Sequence, residues 1–73
     1  MTLSDGPRGV PLVIVGLADN EAEKRLLPFG LMPGSVVVIQ ERLPGGPVVV
    51  KRGRQELALG HRLARRLQVR PQL

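Results

Sequence analysis

Residues 26–39, with the sequence LLPFGLMPGSVVVI, restrict the fold more than any other stretch of the chain. Gly30 stands where a helix is expected to end in the left-handed conformation, which only glycine adopts without a Cβ clash. Leu31 would then fold back onto Leu26, the apolar contact that accompanies such an end. Pro33-Gly34 has the residues of a tight turn, because proline presets φ at the second position and glycine supplies positive φ at the third. The stretch therefore predicts a helix end, a turn and a strand in quick succession.

The rest of the chain alternates short apolar runs with turn residues. The predicted strands are residues 10–17, 35–42, 48–51, 55–59 and 68–70, and the predicted helices are residues 20–28 and 60–67. Short strands joined mostly by tight turns are typical of a small closed antiparallel barrel, which has no free edge. We therefore predict a mainly β fold: a small SH3-like five-stranded antiparallel barrel with one helix after the first strand and a short helix before the last.

The length of 73 residues fits one small domain. Residues 1–9 have no apolar periodicity and are predicted to form a flexible N-terminal arm, whereas residues 10–73 form the barrel domain. The sequence contains no cysteine, which excludes disulfides and thiolate metal sites. It shows neither a signal peptide nor an apolar run near the roughly 18 residues that span a membrane, so we expect a soluble cytoplasmic protein.

Neither catalysis nor metal binding is favoured by the pattern of polar residues. His61 is the single histidine, and the six carboxylates show no clustered spacing, whereas a metal site needs several convergent ligands. No base is placed by sequence beside Thr2, Ser4 or Ser35. We predict no catalytic residue, no metal ligand and no cofactor, and hence a protein that is not an enzyme.

The formal net charge of +5 leaves an anionic partner open as an alternative. Arginines that could form a basic surface are Arg52, Arg54, Arg62, Arg65, Arg66 and Arg70. Small barrels of this class often bind RNA, but readers of single strands stack bases on aromatic rings. Phe29 is the only aromatic residue, which argues against nucleic acid and favours arginine as a solubilising shell.

Large apolar residues are unusually dense at the end of the first predicted helix. Leu27, Phe29, Leu31 and Met32 exceed what a helix this short needs for packing, and Met32 lies on a turn beside a proline. Either these side chains cover the open end of the barrel, or some of them are exposed and form a protein-binding patch.

The ordered set of motifs resembles the ferrous iron transport protein A (FeoA) family over about residues 10 to 70. The pattern L-L-x-x-G-L-x-P-G is followed by a strand, a Pro-Gly-Gly-Pro turn, another strand, Leu57-Ala58-Leu59 and a short helix. The residues that carry the resemblance are Leu26, Gly30, Pro33, Gly34, Pro47, Leu59 and Ala64.

This resemblance implies an SH3-like fold and a cytoplasmic accessory role in ferrous iron uptake. The implied partner is the membrane permease of that system, which carries a cytoplasmic GTP-binding domain, so contact with the membrane would come only through the partner. Arg52 and Arg54, on a predicted hairpin tip, could contact the partner or act on its GTPase as an arginine finger. The sequence leaves the oligomeric state open.

Overall fold

The computed structural model describes residues 1–72, which form five strands, two helices and one turn of 3₁₀ helix. In chain order these are β1 (Pro11–Leu17), α1 (Asn20–Leu26), the 3₁₀ turn (Leu27–Phe29), β2 (Val36–Arg42), β3 (Val48–Arg52), β4 (Gln55–Leu59), α2 (His61–Ala64) and β5 (Leu67–Pro71). The predicted mainly β fold is confirmed, with one helix after β1 and a short helix before β5. The second helix is shorter than predicted because β5 already begins at Leu67.

The strands form one antiparallel sheet in the order β4-β3-β2-β1-β5. Its register is interrupted twice, between Ile14 and Gly16 where β1 pairs with β5, and between Ile39 and Glu41 where β2 pairs with β3. Such irregularities increase local twist and bend a strand. Two of them in central strands allow a five-stranded sheet to curl into a barrel.

The sheet has two ends, β4 and β5, and no ladder joins them within residues 1–72. The outer edge of β5 pairs instead with the N-terminal segment, through the antiparallel bridge between Thr2 and Gln68. The chain connects β4 to β5 through α2 and not through a hairpin. Ala64 of this helix is fully buried in the core, so the connection contributes to the packing beside the seam between β4 and β5.

The N-terminal segment packs along the outer side of β5, in contrast to the flexible arm predicted for residues 1–9. The Leu3 amide donates to the Leu67 carbonyl at 2.9 Å, and the Val69 amide donates to the Met1 carbonyl at 2.9 Å. The Leu3 side chain is 0% exposed. Leu3 lies in a mostly polar stretch without apolar periodicity, yet its side chain gains burial while the backbone around it satisfies hydrogen bonds at the edge of β5.

The core is entirely aliphatic. Its members come from the N-terminal segment, every strand, both helices and the loop before β2: Leu3, Leu12, Ile14, Leu26, Leu31, Val37, Ile39, Val48, Val50, Leu59, Ala64, Leu67 and Val69. No polar or charged residue is buried among residues 1–72. Any function of this part of the chain must therefore be carried by its surface.

Candidate docking surface

The end of α1 is fixed by a Schellman motif. The Leu31 amide donates to the Leu26 carbonyl at 3.2 Å, and the Gly30 amide donates to the Leu27 carbonyl at 2.9 Å. Gly30 has a φ of 74°, the left-handed conformation expected from its position. Leu26 and Leu31 both enter the core, so the motif anchors the 3₁₀ turn to the barrel.

The following loop is fixed by Ser35. Its hydroxyl donates to the Gly30 carbonyl at 2.8 Å and accepts from the Met32 amide at 3.2 Å. The Ser35 amide also donates to the Met32 carbonyl at 2.9 Å, closing the predicted Pro33-Gly34 turn. Sequence reasoning considered Ser35 only as a nucleophile and missed this role, although serine side chains commonly form hydrogen bonds with nearby backbone groups.

Three of the four predicted apolar patch residues reach the surface. The exposed fractions are 53% for Leu27, 45% for Phe29 and 40% for Met32. Leu31 is 1% exposed, because the Schellman motif turns it inward. It is a core residue and not a contact residue, which corrects the sequence-based patch. We call Leu27, Phe29 and Met32 the apolar corner.

In the described part of the chain, the apolar corner is the densest cluster of exposed large apolar residues. Within residues 1–72 the other exposed residues of this kind are dispersed, at Met1, Val10, Val15 and Leu43. Scattered single exposures need no explanation, whereas three within six residues form a patch of the type that marks interaction sites.

Arg52 reaches this corner from the end of β3. A methyl group placed on Gly30 would lie 2.7 Å from Cζ of Arg52, so the guanidinium lies directly over the left-handed glycine. Arg54 belongs to the two-residue loop between the paired residues Arg52 and Gln55 and is exposed. We call Lys51, Arg52 and Arg54 the basic hairpin. Sequence reasoning selected Arg52 and Arg54 but gave no sign of the contact with Gly30.

Two other cations have internal roles. Arg66 forms an ion pair with Asp19 through both Nε, at 3.1 Å, and Nη2. Arg66 lowers the pKa of Asp19, as does the hydrogen bond from the Ala22 amide, and the pair raises the pKa of Arg66. Asp19 is the N-cap of α1, and its carboxylate accepts from the Ala22 amide at 2.8 Å. Arg42 donates to the Gly6 carbonyl at 2.6 Å.

The described part of the chain contains no group of three or more His, Asp or Glu residues that could hold a metal ion. His61 lies at the start of α2, and its Nδ1 is buried without a hydrogen-bond partner. One imidazole does not constitute a transition-metal site. Among the described helices, none has the length and apolar character needed to cross a membrane.

This architecture defines a small SH3-like barrel with an exposed apolar corner beside a basic hairpin. A family model described as "FeoA domain" matches residues 1–71, so the chain belongs to the FeoA family. The resemblance noted in the sequence is confirmed, and the match includes the N-terminal segment. The family is one of small accessory proteins of ferrous iron transport and is not a known enzyme family.

Solved structures agree with this assignment. An iron uptake regulatory protein (FeoA) crystal structure is 31% identical over 96% of this chain and 93% of that chain, with a TM-score of 0.85. Iron(II) transport protein A from Clostridium thermocellum is 33% identical over 97% of this chain and 45% of that chain, also at 0.85.

A further similar structure is Stenotrophomonas maltophilia FeoA complexed with zinc, which is 29% identical over 96% of this chain and 89% of that chain, with a TM-score of 0.80. That protein is described as a prokaryotic SH3 domain protein and a candidate activating factor of bacterial ferrous iron transport. No curated protein sequence matches this chain.

Proposed function

We propose that this chain is a cytoplasmic accessory protein that binds the membrane permease of ferrous iron uptake and modulates its GTPase-linked transport. The observation that carries the proposal is the apolar corner, exposed on a tightly fixed turn of a FeoA-family barrel. The partner is the one that the family's role in ferrous iron transport implies.

The rigidity of the corner favours protein binding. The hydrogen bonds of Gly30, Leu31 and Ser35 hold Phe29 and Met32 at defined positions before any partner arrives. A preordered surface loses less conformational entropy on association. Aromatic residues and methionine are also enriched in protein interfaces relative to the rest of the surface.

The alternative of an RNA-binding barrel has less support. Phe29 is the only aromatic residue available to stack on a base. Arg66 is engaged with Asp19, which removes one cation from the basic surface that was considered. No arrangement of the described side chains favours nucleic acid over a protein partner.

The test measures binding of the full chain to the purified permease held in nanodiscs. We expect Phe29→Ser and Met32→Ser each to weaken binding by about tenfold, since truncating a central contact commonly costs more than 1 kcal/mol. Leu43→Ser is the matched control, because Leu43 is 52% exposed but lies on the loop between β2 and β3. It should leave affinity unchanged.

Permease GTP hydrolysis and iron uptake are recorded in the same preparations. Failure of the wild-type chain to bind would contradict the proposed function. Binding without any change in hydrolysis or uptake would contradict the modulating role alone. Thermal unfolding of each variant separates a lost contact from a lost fold, because both substituted side chains are substantially exposed.

A further inference from the structure

We infer that the apolar corner and the basic hairpin form a single recognition surface for a partner segment in which apolar side chains are flanked by carboxylates. This inference rests on the proposed function for the identity of the partner. It adds the chemistry of the segment that the partner must present.

The physical link between the two parts is Arg52. Its guanidinium lies over Gly30, whose chain neighbour Phe29 belongs to the apolar corner. Arginine packs its methylene stem along apolar surface while its charged end stays accessible. A segment covering Phe29 would therefore also meet the charged end of Arg52.

The segments that carry this surface are predominantly cationic, with Glu23 and Glu56 at their borders and Glu56 opposite Lys51 in the β3–β4 ladder. Residues 24–35 and 51–55 contain five cations and no carboxylate. The cations are Lys24, Arg25, Lys51, Arg52 and Arg54. Within residues 1–72, the one ion pair joins Arg66 to Asp19, so none of the five has an ion-pair partner there. Unpaired charge of one sign favours a partner of the opposite sign.

Carboxylates beside an apolar segment fit both halves of the surface. A guanidinium matches a carboxylate through two parallel hydrogen bonds, and the pair strengthens where neighbouring apolar contacts exclude water. A ligand that offers only negative charge, such as a phospholipid headgroup, would use the basic hairpin and leave the apolar corner uncovered. The observations therefore favour an acidic, amphipathic protein segment.

The test compares charge-matched double variants in the same permease-binding assay. We expect Arg52→Gln/Arg54→Gln to weaken binding tenfold or more at low salt and to flatten its dependence on NaCl, because screening acts on the charges that are lost. Arg62→Gln/Arg65→Gln removes the same charge at two exposed positions in and after α2. This control should change affinity less than threefold.

The outcomes separate the two proposals. Wild-type binding that is salt-independent and unchanged by Arg52→Gln/Arg54→Gln would overturn the inference and leave the proposed function in place. If both double variants lose the same affinity, the loss reflects net charge alone, and this result would also overturn the inference. If Arg52→Gln lowers the melting temperature, Arg54→Gln alone is used, since Arg54 lies on the exposed hairpin loop.

A vesicle-binding measurement completes the test. Vesicles of phosphatidylserine and phosphatidylcholine are offered to the wild type and to Phe29→Ser. We expect binding to these vesicles to be weak and insensitive to Phe29→Ser. Vesicle binding as tight as permease binding would assign the basic hairpin to a lipid surface and overturn the inference.

Discussion

Gly30 meets two separate demands, one from its own backbone and one from a neighbouring side chain. Its φ of 74° lies in the left-handed region that carries a Cβ penalty for other residues. A Cβ there would also lie within 3 Å of the Arg52 guanidinium. The guanidinium ends a flexible side chain and can move. The left-handed backbone conformation should therefore account for most of the stability lost when a Cβ is added at residue 30.

We therefore predict that Gly30→Ala lowers the free energy of unfolding by about 1–2 kcal/mol. Adding the substitution to an Arg52→Ala background should cost nearly the same amount, as measured by urea denaturation. Gly60→Ala is the control, because Gly60 has a φ of −59° and open space around it. A cost that disappears in the Arg52→Ala background would show that the side-chain contact dominates.

Asp19 and Arg66 give a prediction about pH. The pKa of Asp19 is lowered in the folded chain, chiefly by the hydrogen bond from Arg66. A lowered folded-state pKa gives stability that is present above the unfolded value, about 3.9, and lost as the pH falls through the folded value. The wild type should thus have a higher melting temperature than Arg66→Gln at pH 7, and the two melting temperatures should converge in acid.

Asp19→Asn serves as the control for this titration. It removes the carboxylate charge and keeps a side-chain oxygen that can accept from the Ala22 amide. Its melting temperature should lack the acid-dependent component that the wild type shows. A wild-type advantage over Arg66→Gln that persists undiminished at low pH would rule out the ion pair as its cause.

For single residues, the sequence predicted the structure where the interactions are local. The conformations of Gly30, Pro33 and Gly34 follow from their own backbones, so they could be read from the sequence. The contact between Arg52 and Gly30 joins residues from two separate elements and leaves no local pattern. The sequence predicted both that Leu31 folds onto Leu26 and that it contacts a partner. Its exposed fraction of 1% supports the first of these two roles.

Among the elements, the strands were predicted to within one residue at each end. Aliphatic runs bounded by glycine and proline specify strands well because both turn residues act through the backbone. The N-terminal segment was not predicted as packed structure, since its attachment depends on one apolar side chain and on hydrogen bonds to β5.

Leu3 should therefore be as important to stability as a residue of a central strand. We predict that Leu3→Ala lowers the free energy of unfolding by about 2–5 kcal/mol, the range for aliphatic truncation in a core. Val10→Ala, at a residue that is 36% exposed, should cost much less in the same urea titration. Equal effects of the two substitutions would mean that the N-terminal segment contributes little.

For the whole molecule, the barrel class was predictable but the seam between β4 and β5 was not. Strand number and turn spacing indicate a curled antiparallel sheet, whereas the last connection depends on how α2 packs. The apolar corner was visible as a local excess of large side chains. Its union with the basic hairpin emerges only when the whole chain is folded, because β3 and the end of α1 meet in space.

The attachment of residues 1–3 to β5 also bears on how the chain folds during synthesis. Residues 1–3 leave the ribosome before residues 67–71, yet Met1 and Leu3 find their backbone partners there. One edge of β1 likewise pairs with β5, which is synthesised later. The nascent polypeptide must therefore hold its leading segment and one edge of its first strand unpaired until residues 67–71 have been synthesised and have left the ribosome.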